Sequence, residues 1–323
     1  MQRFEYSRVL MGVRASVVLY SRDQSVAFDN AAAAFEEIGR LEDILTDYSA
    51  DSEASRLTAS PPGQWQSVSP ELWEILDRSA DLWRASQGLF DPTVGPQVAL
   101  WRRSRKSQSL PSASELADAS ERSGMTLIEF EPGPRDRHGG GRVRLGKAGM
   151  KLDFGGIGKG YAAQRAVELL ALRGTPLAMV AIAGDVAAGE PPPGERGWKV
   201  AVDAEQPGTP PRLIRLRHRA VSTSGDAAQF VVLNGVRYAH IVDPRTGLGA
   251  TVQRSATVIA GAGWLADALG KPGVLGDRAL VASLARRYHA AFIVTGADGT
   301  SVVEDPYGIV ETIGEEGGVG GGR

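Results

Sequence analysis

The sequence predicts an α+β chain with a mainly antiparallel sheet and packed helices. Two observations carry this. Strand-like and helix-like segments are mixed without the regular βα alternation of a doubly wound fold, and there is no internal repeat. Two hairpin signals, Asn234-Gly235 between residues 230–233 and 236–241 and Asp298-Gly299 within AFIVTGADGTSVVED, place turns that join antiparallel strands.

The elements follow in order. Residues 13–20 alternate and are rich in β-formers, so a strand opens after Met11-Gly12. Residues 28–48 read as a helix with Ala34, Ile38, Leu41 and Leu45 on its buried stripe. Residues 46–60 are polar and turn-rich. Pro70 starts a second helix, with Leu72, Ile75, Leu76 and Leu82 inward, to about Ser86. In QGLFDPTVGPQVALW two prolines bracket a Thr-Val-Gly turn, which predicts a surface loop with Phe90 and Trp101 tucked into the core. Residues 102–122 read as an exposed, partly helical insertion, and 131–142, holding His138, as a flexible connector. Residues 177–183 form a buried strand entering Gly184-Asp185, and 198–202 and 213–216 are strands around a 191–197 loop. A strand over 255–260 precedes a helix from Trp264 to about Leu269, cut short by Gly270 and Pro272, and a helix over 277–288. Residues 1–315 are read as one domain and 316–323 as a disordered glycine-rich tail.

Composition narrows the function. The 323 residues, 42% hydrophobic, allow a sizeable core in one large domain or two ordinary ones. A net charge of −2, from 36 basic and 38 acidic residues, gives no electrostatic footprint for nucleic acid or an anionic membrane. The absence of cysteine excludes disulfides, thiolate metal sites and cysteine nucleophiles, and four histidines leave little for a histidine-rich metal site. MQRFEYSRVLMG lacks a signal-like apolar region and no apolar run spans a bilayer, so a cytoplasmic protein without membrane insertion is expected.

The chemistry centres on residues 151–168, KLDFGGIGKGYAAQRAVE. They read as a short strand ending in Asp153, a glycine-rich turn carrying Lys159, then a helix. A helix opening from such a turn presents N–H groups suited to a phosphate, and Lys159 adds a point charge. A tight connection with a solvated lysine fits the stretch equally well. Two familiar phosphate loops are excluded. The residue five before Gly158 is Asp153 and Lys159 is followed by Gly160, which fails the P-loop pattern. Tyr161 stands where the dinucleotide fingerprint needs its third glycine.

Eight stretches in order, from residue 11 to about 275, resemble the ApbE-type flavin transferases. They are Met11-Gly12, Tyr48 with DSEASRL, GLFDPTVGPQVALW, LDFGGIGKGYAAQRAVELL, Gly184-Asp185, VSTSGD, YAHIVDPRTG and LADAL. The resemblance implies a T-fold-like α+β domain with FAD in a deep groove and its pyrophosphate near a divalent metal. It implies transfer of FMN from FAD to a threonine hydroxyl of an acceptor protein, with release of AMP. Carried over by position, Met11, Tyr48, Phe90, Asp91, Asp153, Lys159 and Val242 would contact FAD. His240 would be the base, Lys159 would supply charge, and Thr223 and Ser224 would lie near the reacting groups. Asp243 would hold a turn or take part in the chemistry.

The match breaks at the metal. The resemblance implies magnesium held at Gly156 and Asp267 and by a threonine four residues after that aspartate, but here that position is Lys271. The expectation is that Lys271 occupies the metal position and contacts Asp267 or the pyrophosphate. The alternatives are weaker magnesium binding through phosphate, water, Asp267 and the Gly156 carbonyl, or flavin binding without catalysis. Thr58, Ala181 and Ala227 also depart from the pattern. The competing functions are an FAD pyrophosphatase giving FMN and AMP, and a non-catalytic FAD-binding homologue.

Overall fold

The computed structural model describes residues 1–133, 140–202, 211–225 and 230–313. His138, Ala227 and the 316–323 tail lie outside the described residues.

The chain opens with a hairpin of β1 (Gln2–Leu10) and β2 (Val13–Ser21), then α1 (Gln24–Leu45) and α2 (Glu53–Ala59). β3 (Gln66–Val68), α3 (Pro70–Ala85), α4 (Gly95–Ser107) and α5 (Ala113–Glu121) follow, then β4 (Ile128–Pro132) and β5 (Gly141–Leu145). Next come α6 (Gly158–Leu172), β6 (Ala178–Ile182), β7 (Asp185–Ala188), β8 (Trp198–Val202), β9 (Arg212–Leu216) and β10 (Arg219–Ser224). The last part holds β11 (Phe230–Leu233), β12 (Val236–Ala239), β13 (Val242–Asp243), β14 (Leu248–Gly249) and β15 (Arg254–Ala260). It ends with α7 (Gly263–Leu275), α8 (Arg278–Tyr288), β16 (Ala291–Gly296) and β17 (Ser301–Glu304).

The main sheet runs β1-β2-β6-β7-β10-β15-β16-β17. Every neighbouring pair in it is antiparallel. Strand alternation sorts its two faces. Ala15, Val17, Leu19, Ala220, Val258 and Ala260 enter the main core with α1, α6 and α7. Val18, Val221 and Ile259 face the other way, onto a second core closed by Trp198, Val202, Ile214 and Leu216 of the β8–β9 hairpin.

Four elements differ from the sequence expectation. β1 precedes Met11-Gly12, whose positive φ values of 52° and 71° make the turn. Residues 53–59, expected as turns, form a helix capped by Ser52, whose hydroxyl accepts the Ser55 N–H at 3.1 Å. α4 starts inside the expected proline loop, because Pro96 falls in the first turn, where a missing N–H costs nothing. α7 runs through Pro272 to Leu275 instead of ending near Leu269. Proline inside a helix costs about 3 kcal/mol. Here the helix is buried from Trp264 to Leu275 except at Lys271, and that packing outweighs the loss.

α6 and α7 cross in close contact at Gly160 and Gly263. A Cβ on Gly160 would lie 2.7 Å from the Gly263 carbonyl carbon and 2.8 Å from Asp267 Cβ, both on a buried helix that cannot retreat. Gly160→Ala is therefore expected to destabilise the fold by about 3 kcal/mol, read as a lower urea midpoint. An unchanged midpoint would contradict the close crossing.

Candidate active site

A cavity of about 520 Å³ opens where α6, α7, the start of β7 and the end of β10 meet. Its floor is a cluster of two lysines and two buried aspartates. Lys159 stands in the first turn of α6, not in the glycine turn before it. Its Nζ is 3.2 Å from Asp185 Oδ2 and 3.8 Å from Asp267 Oδ2, and it donates to the Gly155 carbonyl at 3.2 Å. Asp185 is turned inward by the two-residue Ala183-Gly184 loop, with Ala183 at φ 53°. The Ser222 hydroxyl donates to Asp185 Oδ1 at 2.5 Å.

Because α7 continues past Gly270, Lys271 lies one turn beyond Asp267. Its Nζ is 2.9 Å from Asp267 Oδ1 and 3.3 Å from both the Asp267 carbonyl and Ser224 Oγ. The same side chain runs against Gly156, where a Cβ would meet Lys271 Cε at 2.7 Å. Lys271 thus fills the space between Gly156 and Asp267, the two positions expected to hold magnesium. Asp267 Oδ2 is engaged as well, accepting the Gly160 N–H at 3.2 Å. Among the described residues no group of three or more His, Asp or Glu is placed to hold a metal. These residues do not fit a magnesium ion with its demand for oxygen ligands.

The electrostatics follow from burial and pairing. Burial acts to raise the Asp267 pKa, but Lys159 and Lys271 together outweigh it and hold the carboxyl below its ordinary value. Burial, with the Asp267 charge adding to it, pushes Asp185 up. The Asp267 charge holds the Lys159 ammonium above its ordinary value, burial opposing it and Asp185 adding to it.

The expected phosphate-binding helix start is largely spent internally. The N–H of Gly155 donates to Asp153 Oδ1, those of Ile157 and Gly158 to the Phe154 carbonyl, and that of Gly160 to Asp267. Positive charge at this floor therefore comes from side chains, Lys159 and Lys271.

The rim is organised by Arg102 of α4. Its guanidinium bonds Asp47 at 2.9 Å and Asp153 at 3.2 Å, and it lies 4.8 Å from the ring centroid of Tyr48. Tyr48 is 81% exposed, an aromatic face held at the cavity mouth by a cation beneath it. Burial, with the Asp47 charge adding to it, pushes Asp153 up. Asp91 lines the cavity and accepts the Thr93 N–H at 2.8 Å and its hydroxyl at 2.5 Å; burial raises its pKa against those bonds. Phe90 is buried and lines the wall beside it.

His240 and Val242 also line the cavity. Backbone bonds fix the chain on both sides of His240: Ala239 N–H donates to the Ala250 carbonyl at 2.7 Å, and Ala250 N–H to the Ile241 carbonyl at 2.8 Å. Asp243 holds the following turn, bound by the Arg245 guanidinium at 2.7 and 2.9 Å.

Two expected residues are placed differently. Met11 is not part of the cavity wall; it sits in the β1–β2 turn with its N–H donating to Glu42 at 2.7 Å. Thr223 borders the cavity, but its hydroxyl pairs with Thr257 across the β10–β15 register at 2.8 Å. Strand alternation instead aims Ser222 and Ser224 at the charged floor. Sequence reasoning left Ser222, Asp185 and Arg102 out of the site. Asp185 had a signal, the Gly-Asp ending of a buried strand. Arg102 had one too, since Val94, Val98, Trp101 and Arg105 share its cavity-facing side of α4 at helical spacing.

Comparison with known proteins bears on the family and the fold. The model of the ApbE family matches residues 11–293. The FAD:protein FMN transferase of Treponema pallidum is 30% identical over 82% of this chain and 77% of its own. That of Klebsiella pneumoniae is 29% identical over 76% and 73%. Among solved structures, the ApbE protein of Thermotoga maritima superposes with a TM-score of 0.81 at 29% identity, covering 93% of this chain and 96% of that one. The apo flavinyl transferase ApbE of Pseudomonas stutzeri gives 0.79 at 27%, covering 93% and 95%.

Proposed function

The chain belongs to the ApbE family, and from that premise we propose that it transfers FMN from FAD to a threonine hydroxyl of an acceptor protein, releasing AMP. The observation that carries this reading is the make-up of the cavity at Lys159 and Lys271. It joins an ammonium-lined floor, for a pyrophosphate, to a rim with an exposed aromatic face, for a flat heterocycle.

The reaction uses this chain's residues as follows. Lys159 answers the charge of the pyrophosphate, which grows on the leaving oxygen during transfer. Tyr48, backed by Arg102, offers a stacking face to an aromatic ring of the dinucleotide. The acceptor hydroxyl oxygen bonds to the FMN-side phosphorus while that phosphorus loses its bond to the bridging oxygen. AMP leaves with the electron pair, and the hydroxyl proton passes to His240.

The test is AMP release from FAD with and without a threonine-bearing acceptor. Acceptor-dependent AMP with a fluorescent acceptor band is expected. AMP released equally without acceptor would make the chain an FAD pyrophosphatase. No AMP with FAD still bound would make it a flavin-binding protein.

A further inference from the structure

The divalent cation implied by the family resemblance has no place between Gly156 and Asp267, because Lys271 fills that space. Lys271 does not merely replace an oxygen ligand. It passes along Gly156, reaches Asp267 Oδ1 at 2.9 Å and approaches Ser224 Oγ at 3.3 Å. Asp267 is 1% exposed, and both its oxygens are engaged, one by Lys271 and the other by Gly160 N–H and Lys159. A cation of any kind would have to displace an ammonium from a buried carboxylate to enter.

We propose that the Lys271 ammonium is the resident cation of this site, and that with Lys159 it receives the FAD pyrophosphate directly, without a divalent metal. The pyrophosphate part of this proposal rests on the function proposed above. The charges are consistent. Lys159 and Lys271 bring two positive charges, as one divalent ion would, and Asp185 and Asp267 balance them in the free protein. The floor is therefore neutral before FAD arrives and needs no ion to fold. Lys271 is 22% exposed at its side chain and borders the cavity, so the side chain is open to a ligand that enters there. Its 3.3 Å contacts to Ser224 and the Asp267 carbonyl are the long ones, which phosphate oxygens can exchange for.

The test has two arms on the full-length protein. The first titrates the free protein with manganese alone, reading free ion by electron paramagnetic resonance. No saturable site below millimolar is expected; a stoichiometric tight site would overturn the proposal whether or not the protein handles FAD. The second measures FAD affinity by flavin fluorescence, in EDTA and in millimolar magnesium. The native protein is expected to show affinities within about twofold of each other, since no ion is recruited. Lys271→Thr is expected to bind FAD roughly tenfold more weakly in EDTA, through loss of a charged hydrogen bond, and to regain affinity with magnesium. A native protein that loses FAD in EDTA and recovers it with magnesium would overturn the proposal. If the native protein binds no FAD in either buffer, the FMN-transfer reading fails, and the manganese arm still decides the cation question.

Discussion

Lys159→Ala is expected to slow FMN transfer by roughly 10²–10³-fold, the range for losing one preorganised group that stabilises developing charge. The side chain is held over the floor by three groups, the Asp185 and Asp267 carboxylates and the Gly155 carbonyl, so it is fixed before the pyrophosphate arrives. Its removal leaves Asp185 beside Asp267 with one cation fewer. Asp185, already pushed up by burial and by its neighbour, loses one of the two ammonium charges that oppose that push. A urea midpoint measured beside the rate separates lost transfer from lost stability. FAD affinity is expected to fall with it, because the ammonium meets the ground-state pyrophosphate too. Steady-state AMP release and a fluorescence titration of FAD measure the two effects separately. Native transfer rates in Lys159→Ala would remove Lys159 from the mechanism.

His240→Ala is expected to behave differently, lowering the transfer rate by roughly 10²–10⁴-fold as lost general-base catalysis does. FAD affinity should stay within about twofold of native, because the base acts on the acceptor hydroxyl and not on the dinucleotide. The contrast is the point of the pair: Lys159 affects binding and transfer together, His240 transfer alone. The flanking backbone bonds at Ala239 and Ala250 use no imidazole atom, and a urea midpoint measured on the variant separates a folding defect from lost catalysis. Loss of FAD binding in His240→Ala, at unchanged stability, would show that the imidazole serves the dinucleotide.

The sequence carried the fold through local rules that tertiary packing leaves intact. Asn234-Gly235 and Asp298-Gly299 turn where their chemistry requires, and the Ala34, Ile38, Leu41 and Leu45 stripe is buried as its spacing demands. Misreadings came where a local rule met a stronger distant term. Pro272 does not stop α7, because that helix is sandwiched over nearly its whole surface. Pro96 does not exclude α4, because it falls in the first turn, where no N–H is needed. β1 was missed although Phe4, Tyr6 and Leu10 alternate inward, because the intervening charged residues mask a one-sided edge strand.

Most of the expected site positions line one cavity, but their orientations were not legible in the sequence. The motifs brought Lys159, Asp267, Asp153, Asp91, Tyr48, Phe90, His240 and Val242 to one cavity. They did not settle which hydroxyl of Ser222-Thr223-Ser224 faces the charges, since a single strand step reverses the answer and the register with β15 decides it. Nor did they reveal that the first N–H groups of α6 are consumed by Asp153, Phe154 and Asp267. The Lys271 departure was visible in the sequence. Its meaning depended on α7 continuing, which sets Lys271 and Asp267 one helical turn apart.

The most direct test of FMN transfer is the intact mass of an acceptor protein with one candidate threonine, after incubation with FAD and this protein. The account predicts that the acceptor gains one FMN less one water, that AMP appears in equal amount, and that replacing the threonine by alanine abolishes both. An acceptor of unchanged mass, with FAD bound to this protein throughout, would contradict it.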